Sequence, residues 1–235
     1  MYVNFFKRIL DILCSLLAII CFSWLYLILA VLVRVELGSP VIFKQPRPGK
    51  KDKNGNETIF KLYKFRTMTE EKNVNGELLP DEVRLTKFGK WLRRTSLDEL
   101  PEAFNILKGE MSVIGPRPQL VRDMVFMTAE QRKRHDVRPG LSGLAQVRGR
   151  NALPWEEKLA MDLKYVEKIT FLGDCKIIVD TVKQAFFGKK GMDGDVDEVD
   201  ITDDFGDYLL KEGRVGIEKY KEKQEEAREI LRRVG

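Results

Sequence analysis

Residues 12–33 read ILCSLLAIICFSWLYLILAVLV, 22 consecutive positions without a charged side chain. A helix of this length would measure about 33 Å, enough to cross the hydrocarbon core of a bilayer. The stretch is too long for the apolar part of a cleaved signal peptide, and no small-residue cleavage site precedes Arg34. We therefore predict a membrane-anchoring helix within residues 1–36.

The charges on either side of this helix bear on how it sits in a membrane. Lys7 and Arg8 precede it, and Arg34, Lys44 and Arg47 follow it. Because positive charge marks the cytoplasmic side, both ends favour the same face. This pattern favours a re-entrant helix that enters and leaves by one face. Hydropathy alone favours a single spanning helix, and that alternative stays open.

Charge divides the chain into three parts. Residues 34–191 carry 31 basic and 21 acidic side chains, whereas residues 192–235 carry 8 and 14. We predict a main domain over residues 37–191 and an appendage over residues 192–235, made of an acidic linker and a charged C-terminal helix. The basic main domain suits a phosphorylated ligand, an anionic membrane surface or nucleic acid, and charge alone does not choose among them.

The cysteines and the histidine exclude several classes of protein. Cys14, Cys21 and Cys175 form no CxxC pair, and His135 is the one histidine. A disulfide scaffold, a zinc site of His and Cys ligands and a hydrolase that needs a histidine other than His135 are therefore excluded. His135 lies in a basic stretch, and a structural or phosphate-neighbouring role fits it better than that of a general base.

The remaining sequence predicts an α+β fold that is mostly helical. Residues 41–43 and 59–65 read as the strands of a small β-hairpin around a polar loop. Helices are expected over residues 81–94, 98–108, 118–134, 154–169, 174–187 and 208–233. The helix over residues 174–187 has an apolar stripe with lysines at its edges. It suits a membrane interface, with a core-facing helix as the alternative.

Three arginine sites stand beside proline or glycine in the second half of the main domain. They are Arg117 in GPRP, Arg138 in RPG, and Arg148 with Arg150 around Gly149. Proline fixes φ and glycine permits close backbone approach, so these guanidinium groups are pre-positioned. Because the planar guanidinium fork suits phosphate oxygens, the cluster predicts a phosphate site.

Asp98 and Glu99 are the carboxylates best suited to chemistry. Adjacent helical positions point about 100° apart, so the two cannot face each other as an acid and a base. Ser96 and Glu99 match a capping box, but Pro101 favours a helix that begins one or two residues after Ser96. Asp98 would then be an ionised carboxylate at a helix N-terminus near Arg93. Such a group can attack phosphorus if a divalent metal neutralises the diphosphate.

Five motifs, in one order along the chain, resemble those of a single enzyme family. They are KLYKFRTM (61–68), TSLDELP (95–101), SVIGPRP (112–118), RHDVRPG (134–140) and GLAQVRGRN (143–151). Together they resemble the monotopic phosphoglycosyl transferases, the bacterial sugar transferase family that begins glycoconjugate assembly on polyprenol phosphate. The resemblance covers residues 1 to about 190 and is to the short form of the family, and the acidic appendage falls outside it.

This resemblance implies an enzyme that moves a phosphosugar from a UDP-sugar to polyprenol (undecaprenyl) phosphate and releases UMP. The reaction would take two displacement steps with Mg²⁺, at the cytoplasmic face of the bacterial inner membrane, as the first membrane step of glycoconjugate and polysaccharide biosynthesis. Asp98 would be the nucleophile, with Glu99 beside it, and both would lie in the Mg²⁺ site. The substrate-phosphate-binding residues would be Lys64, Arg93, Arg117, Arg138 and Arg150.

The resemblance also implies a re-entrant membrane helix and interfacial amphipathic helices around a catalytic domain over residues 37–191. In the family a Ser-Pro pair breaks the membrane helix, whereas this chain has Ser23 followed by Trp24. Serine can bend a helix through a bond to a carbonyl one turn back, but the steric clash that proline supplies is lost. The spanning helix therefore stays the alternative.

A protein of another class also fits part of the sequence. A non-catalytic, membrane-anchored basic protein that binds anionic lipid or nucleic acid would explain the anchor and the basic main domain. It would not explain the carboxylate pair beside Arg93. An aromatic-rich platform for single strands is missing, which argues against nucleic acid. The sugar, a homo-oligomeric state and the role of residues 192–235 stay open.

Overall fold

Two apolar helices joined by a sharp bend form the N-terminal part of the computed structural model, which describes residues 2–149, 153–187 and 204–234. After a π-helical turn (Tyr2–Phe6), helices α1 (Lys7–Cys21) and α2 (Ser23–Leu37) meet at an angle of 64°. The helix breaks at Phe22, so the bend forms without a proline. Within the described residues, neither helix is long and apolar enough to span a bilayer, and only the bent pair together has the required length and composition.

Buried polar contacts fix this pair to the rest of the protein. Asp11 is 3% exposed, and its Oδ1 accepts hydrogen bonds from the hydroxyl of Ser112 and from the backbone N–H of Val113, both at 2.9 Å. Arg8 donates to the carbonyls of Ile106 and Leu107 at 2.6 and 2.8 Å. These bonds fix the position of α1 relative to α5 and β3.

The apolar pair is buried on one side only. Leu29 and Val33 of α2 pack against Phe65 and Leu92 in a buried cluster. On the outer side large apolar side chains are exposed, among them Leu17 (64%), Leu27 (69%) and Val35 (75%). Exposed apolar surface of this extent is typical of a membrane or protein contact.

The predicted β-hairpin is confirmed and is longer than expected. Strand β1 (Ile42–Lys51) pairs antiparallel with β2 (Glu57–Phe65). Pro46 and Pro48 are tolerated within β1 because a two-stranded sheet leaves each strand one free edge. A second, parallel pair, β3 (Ser112–Ile114) with β4 (Gly140–Ser142), was not predicted. Its strands approach so closely that a Cβ at Gly140 would lie 2.0 Å from the backbone nitrogen of Gly115.

The remaining helices are shorter and more broken than the sequence predicted. They are α3 (Asp81–Arg84), α4 (Lys87–Arg94), α5 (Glu102–Lys108), α6 (Val121–Met124), α7 (Leu144–Gly149), α8 (Trp155–Glu167), α9 (Phe171–Phe187), α10 (Phe205–Lys211) and α11 (Ile217–Val234). The helices predicted over residues 154–169 and 174–187 are confirmed as α8 and α9. The single helices predicted over residues 81–94 and 208–233 are each two helices.

The helix predicted over residues 118–134 is wrong. Only the short α6 and a 3₁₀ turn (Gln131–Asp136) form there. The backbone N–H of Thr128 donates to the side chain of Gln131, and that of Gln131 donates to the Thr128 hydroxyl. Such reciprocal bonds compete with helical hydrogen bonds and interrupt the helix.

Helix α9 is apolar on its inner side and also presents apolar side chains outward. Ile177 is buried against Ile114 and Tyr165. Val179 (50% exposed) and Val182 (49% exposed) lie on the outside. The helix therefore both packs on the domain and presents apolar side chains outward. The acidic linker predicted over residues 192–207 lies outside the described residues as far as residue 203.

Candidate active site

Asp98 lies in a short 3₁₀ turn (Leu97–Glu99) just before α5. The residue before this turn, Ser96, has a left-handed backbone (φ 55°), which costs energy for a residue other than glycine. Ser96 makes no capping bond, so the capping box is absent, and Pro101 takes the N-cap position of α5 instead. The tight turn places the Asp98 carboxyl, 7% exposed, at a cavity wall.

Lys64 of β2 joins three carboxylates. Its Nζ lies 2.7 Å from Glu99 Oε1, 3.4 Å from Glu102 Oε1 and 3.9 Å from Asp98 Oδ2. Glu102 was not predicted as a site residue. It follows Asp98 by four positions, a helical spacing that could have indicated it.

Arg117 reaches the same cluster from the loop between β3 and α6. Its Nη2 lies 3.2 Å from Glu99 Oε1, while its side chain stays 47% exposed toward the cavity. Two other arginines hold the backbone of this loop. Arg134 donates to the carbonyl of Arg117 at 2.6 Å, and Arg47 donates to that of Pro118 at 3.1 Å. Neither was predicted, because sequence pattern does not reveal contacts between distant segments.

Arg93 is brought to the site by a close approach of α4 to the end of β2. A Cβ at Gly89 would lie 1.9 Å from the carbonyl oxygen of Thr67, so only glycine allows this packing. Arg93 Nε then donates to the Thr67 hydroxyl at 3.0 Å. From this position Arg93 lines the cavity that Asp98 also lines.

The three carboxylates titrate differently because their surroundings differ. Burial raises the pKa of Asp98, and Lys64 opposes this increase. Burial would also raise the pKa of Glu99, but Arg117 and Lys64 outweigh it and hold that pKa below its usual range. Burial and the negative charge of Glu99 raise the pKa of Glu102. The charged form is therefore more strongly favoured at Glu99 than at Asp98.

A cavity of about 2010 Å³ is lined by this polar cluster and also by apolar side chains. Its polar lining includes Lys64, Arg66, Arg93, Arg94, Asp98 and Arg117. Its apolar lining includes Ala18, Phe22, Tyr26, Ile178, Val182 and Ala185, from α1, α2 and α9. The lining thus suits a ligand that has both a phosphate group and a hydrocarbon part.

The carboxylates fit Mg²⁺ only as part of a shared site. Among the described residues, no cluster of three His, Cys, Asp or Glu side chains could hold a metal by itself. Mg²⁺ is commonly bound by one or two carboxylates together with substrate phosphates. Asp98 and Glu99 supply carboxylate oxygens of this kind beside the basic residues that suit a phosphate.

Of the two other predicted phosphate-binding residues, Arg138 is not part of this arrangement. Arg138 donates through Nε to the carbonyl of Gly109 at 2.7 Å and is not among the described residues that line the cavity. The structure gives Arg138 a tie between loops instead. Arg150 lies outside the described residues, so its role stays a prediction.

Comparison with known proteins gives a family for this arrangement. The family described as Bacterial sugar transferase matches residues 2–188. The chain is 47% identical over 178 residues to the uncharacterized sugar transferase EpsL of Bacillus subtilis (strain 168), which covers 76% of this chain and 86% of that protein.

Two of the relatives have names that state both a donor and an acceptor. The UDP-glucose:undecaprenyl-phosphate glucose-1-phosphate transferase of Klebsiella pneumoniae is 39% identical, over 78% of this chain and 41% of its own length. The UDP-N-acetylgalactosamine-undecaprenyl-phosphate N-acetylgalactosaminephosphotransferase of Aeromonas hydrophila is 38% identical, over 78% of this chain and 44% of its own length. The chain thus spans less than half the length of these two relatives.

Proposed function

The chain belongs to the bacterial sugar transferase family, the polyprenol-phosphate phosphoglycosyl transferases, and on that premise we propose that it transfers a phosphosugar from a UDP-sugar to undecaprenyl phosphate. The products would be UMP and undecaprenyl-diphosphate-sugar. The names of the Klebsiella pneumoniae and Aeromonas hydrophila relatives print undecaprenyl phosphate as acceptor and a UDP-sugar as donor. Because those donors differ in their sugar, the sugar for this chain is not assigned.

In the first step, a carboxylate oxygen of Asp98 attacks the phosphorus that carries the sugar. A new bond from Asp98 to phosphorus forms, the bond from that phosphorus to the bridging oxygen breaks, and UMP leaves with the bonding electron pair. Arg117 and Arg93 line the same cavity as Asp98, which supports a role for them in binding the phosphate oxygens, and the positive charge of Lys64 favours the charged form of Asp98. Positioned cations stabilise the charge on a transferring phosphoryl group.

In the second step, a phosphate oxygen of undecaprenyl phosphate attacks the same phosphorus. The bond to Asp98 breaks, and Asp98 recovers its carboxylate. Two steps suit two anionic substrates that reside in different phases, because only one of them has to occupy the polar cluster at a time. When bound by Asp98 and Glu99, Mg²⁺ would supply charge neutralisation for the diphosphate.

The same cavity supports a place at a membrane surface. Its apolar lining comes from the bent pair α1–α2 and from α9, which also present exposed apolar side chains. We infer that α1–α2 is a re-entrant hairpin at the cytoplasmic face of the inner membrane and that α9 lies in the interface. The basic residues on both flanks of the pair support this topology.

The observation that carries the proposal is a buried Asp98, 3.9 Å from Lys64, lining a cavity that is also lined by apolar side chains of α1, α2 and α9. Membership in an enzyme family argues against the non-catalytic anchor protein. The test is a panel of UDP-sugars given to membrane-embedded protein without a lipid acceptor. We expect one UDP-sugar to release about one UMP per enzyme. No release from any UDP-sugar, with undecaprenyl phosphate added as well, would refute the proposal.

A further inference from the structure

Helices α10 and α11 lie beyond residues 2–188, which the family matches, yet they pack on the catalytic domain. Ala227 of α11 is 2% exposed and belongs to a cluster with Val121, Met124 and Val125 in and after α6. Phe205 of α10 is 3% exposed. This appendage, residues 204–234, contacts α6, which follows the loop carrying Arg117, and also contacts α8.

Asp123 makes the first connection. It is 2% exposed and accepts two backbone hydrogen bonds at 3.0 Å, one from Leu120 at the start of α6 and one from Phe205 at the start of α10. Leu120 is three residues from Arg117 in the chain. An ion pair of 2.7 Å between Arg122 and Asp204 lies beside these bonds.

Helix α8 makes the second connection. The ring of Phe205 lies 5.1 Å from that of Trp155 at the start of α8, and Glu156 accepts from Tyr208 at 3.0 Å.

Nearly two turns further along α8, the chain of contacts reaches the catalytic loop. Asp162 is 3% exposed and pairs at 2.6 Å with Arg134, itself 2% exposed. Arg134 donates to the carbonyl of Arg117. Two buried routes therefore lead from α10 to one catalytic loop.

We propose that residues 204–234 are a positioning element that holds Arg117 in place through Asp123 on one side and through α8 and Arg134 on the other. The proposal rests on the proposed function, in which Arg117 binds substrate phosphate. Because Asp123 and Arg134 bond to the backbone of the loop, the element that holds them sets the direction from which the Arg117 side chain meets the phosphate.

The test is a double-mutant cycle on UMP release from the UDP-sugar that the panel identifies, measured with the full chain. Asp123→Asn keeps the size of the side chain but weakens one of its two bonds, and we expect it to slow UMP release about tenfold. In an Arg117→Met background the same change should slow release by less than about twofold, because the group it positions is gone.

Asp11→Asn is the matched control. Asp11 is also a buried aspartate with two hydrogen bonds, but it ties α1 to β3 and not to the Arg117 loop. Its effect should multiply with that of Arg117→Met. If Asp123→Asn does not fold, Phe205→Leu replaces it in the same cycle.

Multiplying effects for Asp123→Asn or Phe205→Leu would overturn the positioning proposal while leaving the proposed function intact. A wild-type chain that releases no UMP would overturn both.

Discussion

The Asp98 carboxyl is buried, yet it must be ionised to attack phosphorus. Burial raises its pKa, and the first opposing influence is Lys64 at 3.9 Å. A carboxylate nucleophile is lost when it is protonated, so the rate falls as the pH falls through its pKa. The position of that acid limb is therefore a direct report on the environment of Asp98.

We predict that the acid limb, where the rate of UMP release falls as the pH falls, lies above pH 3.8, the ordinary pKa of an aspartate. The reason is that burial raises the pKa of Asp98. Lys64→Met should move this acid limb to still higher pH, since the positive charge that favours the carboxylate is removed. The measurement is the pH profile of the UMP burst for both proteins. An acid limb that stays in place in Lys64→Met would contradict this account of Asp98.

His135 is buried, which fits the structural role, one of the two roles that the sequence favoured over that of a general base. It is 4% exposed, and burial lowers its pKa to about 4, although Glu57 at 3.4 Å opposes the decrease. An unfolded histidine takes up its proton near pH 6.5, whereas the folded one does so near pH 4. The stability that the neutral side chain contributes is thus complete above pH 6.5 and is lost as the pH falls toward 4.

We predict that lowering the pH from 7 to 4 costs the wild type about 3 kcal/mol more unfolding free energy than it costs His135→Gln. Chemical unfolding of both proteins in the same detergent, at several pH values, measures the difference. Equal pH dependence in the two proteins would mean that His135 is not buried in its neutral form.

At the scale of elements, the outward face of α9 separates two roles for apolar side chains. Val179 and Val182 have the same side chain and nearly the same exposure (50% and 49%), but only Val182 lines the cavity. Both would meet a bilayer equally, so a difference between them reports on the cavity alone.

We predict that Val182→Asp raises the KM for undecaprenyl phosphate at least about tenfold, because a charge in an apolar site is costly to desolvate. Val179→Asp should raise it much less, and neither change should alter UMP release without acceptor. The measurement is transfer from the preloaded enzyme at varied acceptor concentration. Equal effects of the two variants would mean that the hydrocarbon part of the acceptor does not contact Val182 in the cavity.

Some elements could be predicted from the sequence because local pattern determines them. The hairpin has apolar runs around a polar loop, and α8 follows a proline that starts a helix. The parallel pair β3 and β4 could not be predicted, since Ser112 and Gly140 pair across 28 positions of chain. The helix predicted over residues 118–134 was wrong because bonds between Thr128 and Gln131 replace helical ones.

Over the whole molecule, the predicted site residues fall into those that tertiary packing brings together and those that it does not. Asp98, Glu99, Lys64, Arg93 and Arg117 stand in recognisable motifs, and the structure places them around one cavity. Arg138 also stands in a motif, but it does not join this cluster, because its guanidinium donates to the Gly109 carbonyl. Sequence pattern identifies residue types that suit a phosphate, but only tertiary packing decides which of them meet.

The charged appendage shows the limit of composition as a guide. Its sequence predicts a solvated linker and helix, yet α10 and α11 bury Phe205 and Ala227 against the catalytic domain. The basic main domain and the acidic appendage therefore form one packed unit over the described residues.

In the proposed two-step mechanism, Asp98 carries the phosphosugar between the two substrates. The direct measurement is mass spectrometry of the protein after incubation with the UDP-sugar alone, with peptide mapping of the added mass. We predict one phosphosugar on Asp98 in the wild type and in Glu102→Gln, a neighbouring carboxylate variant, and none in Asp98→Asn. The adduct should disappear when undecaprenyl phosphate is added. An adduct on another side chain, or full turnover by Asp98→Asn, would contradict the account.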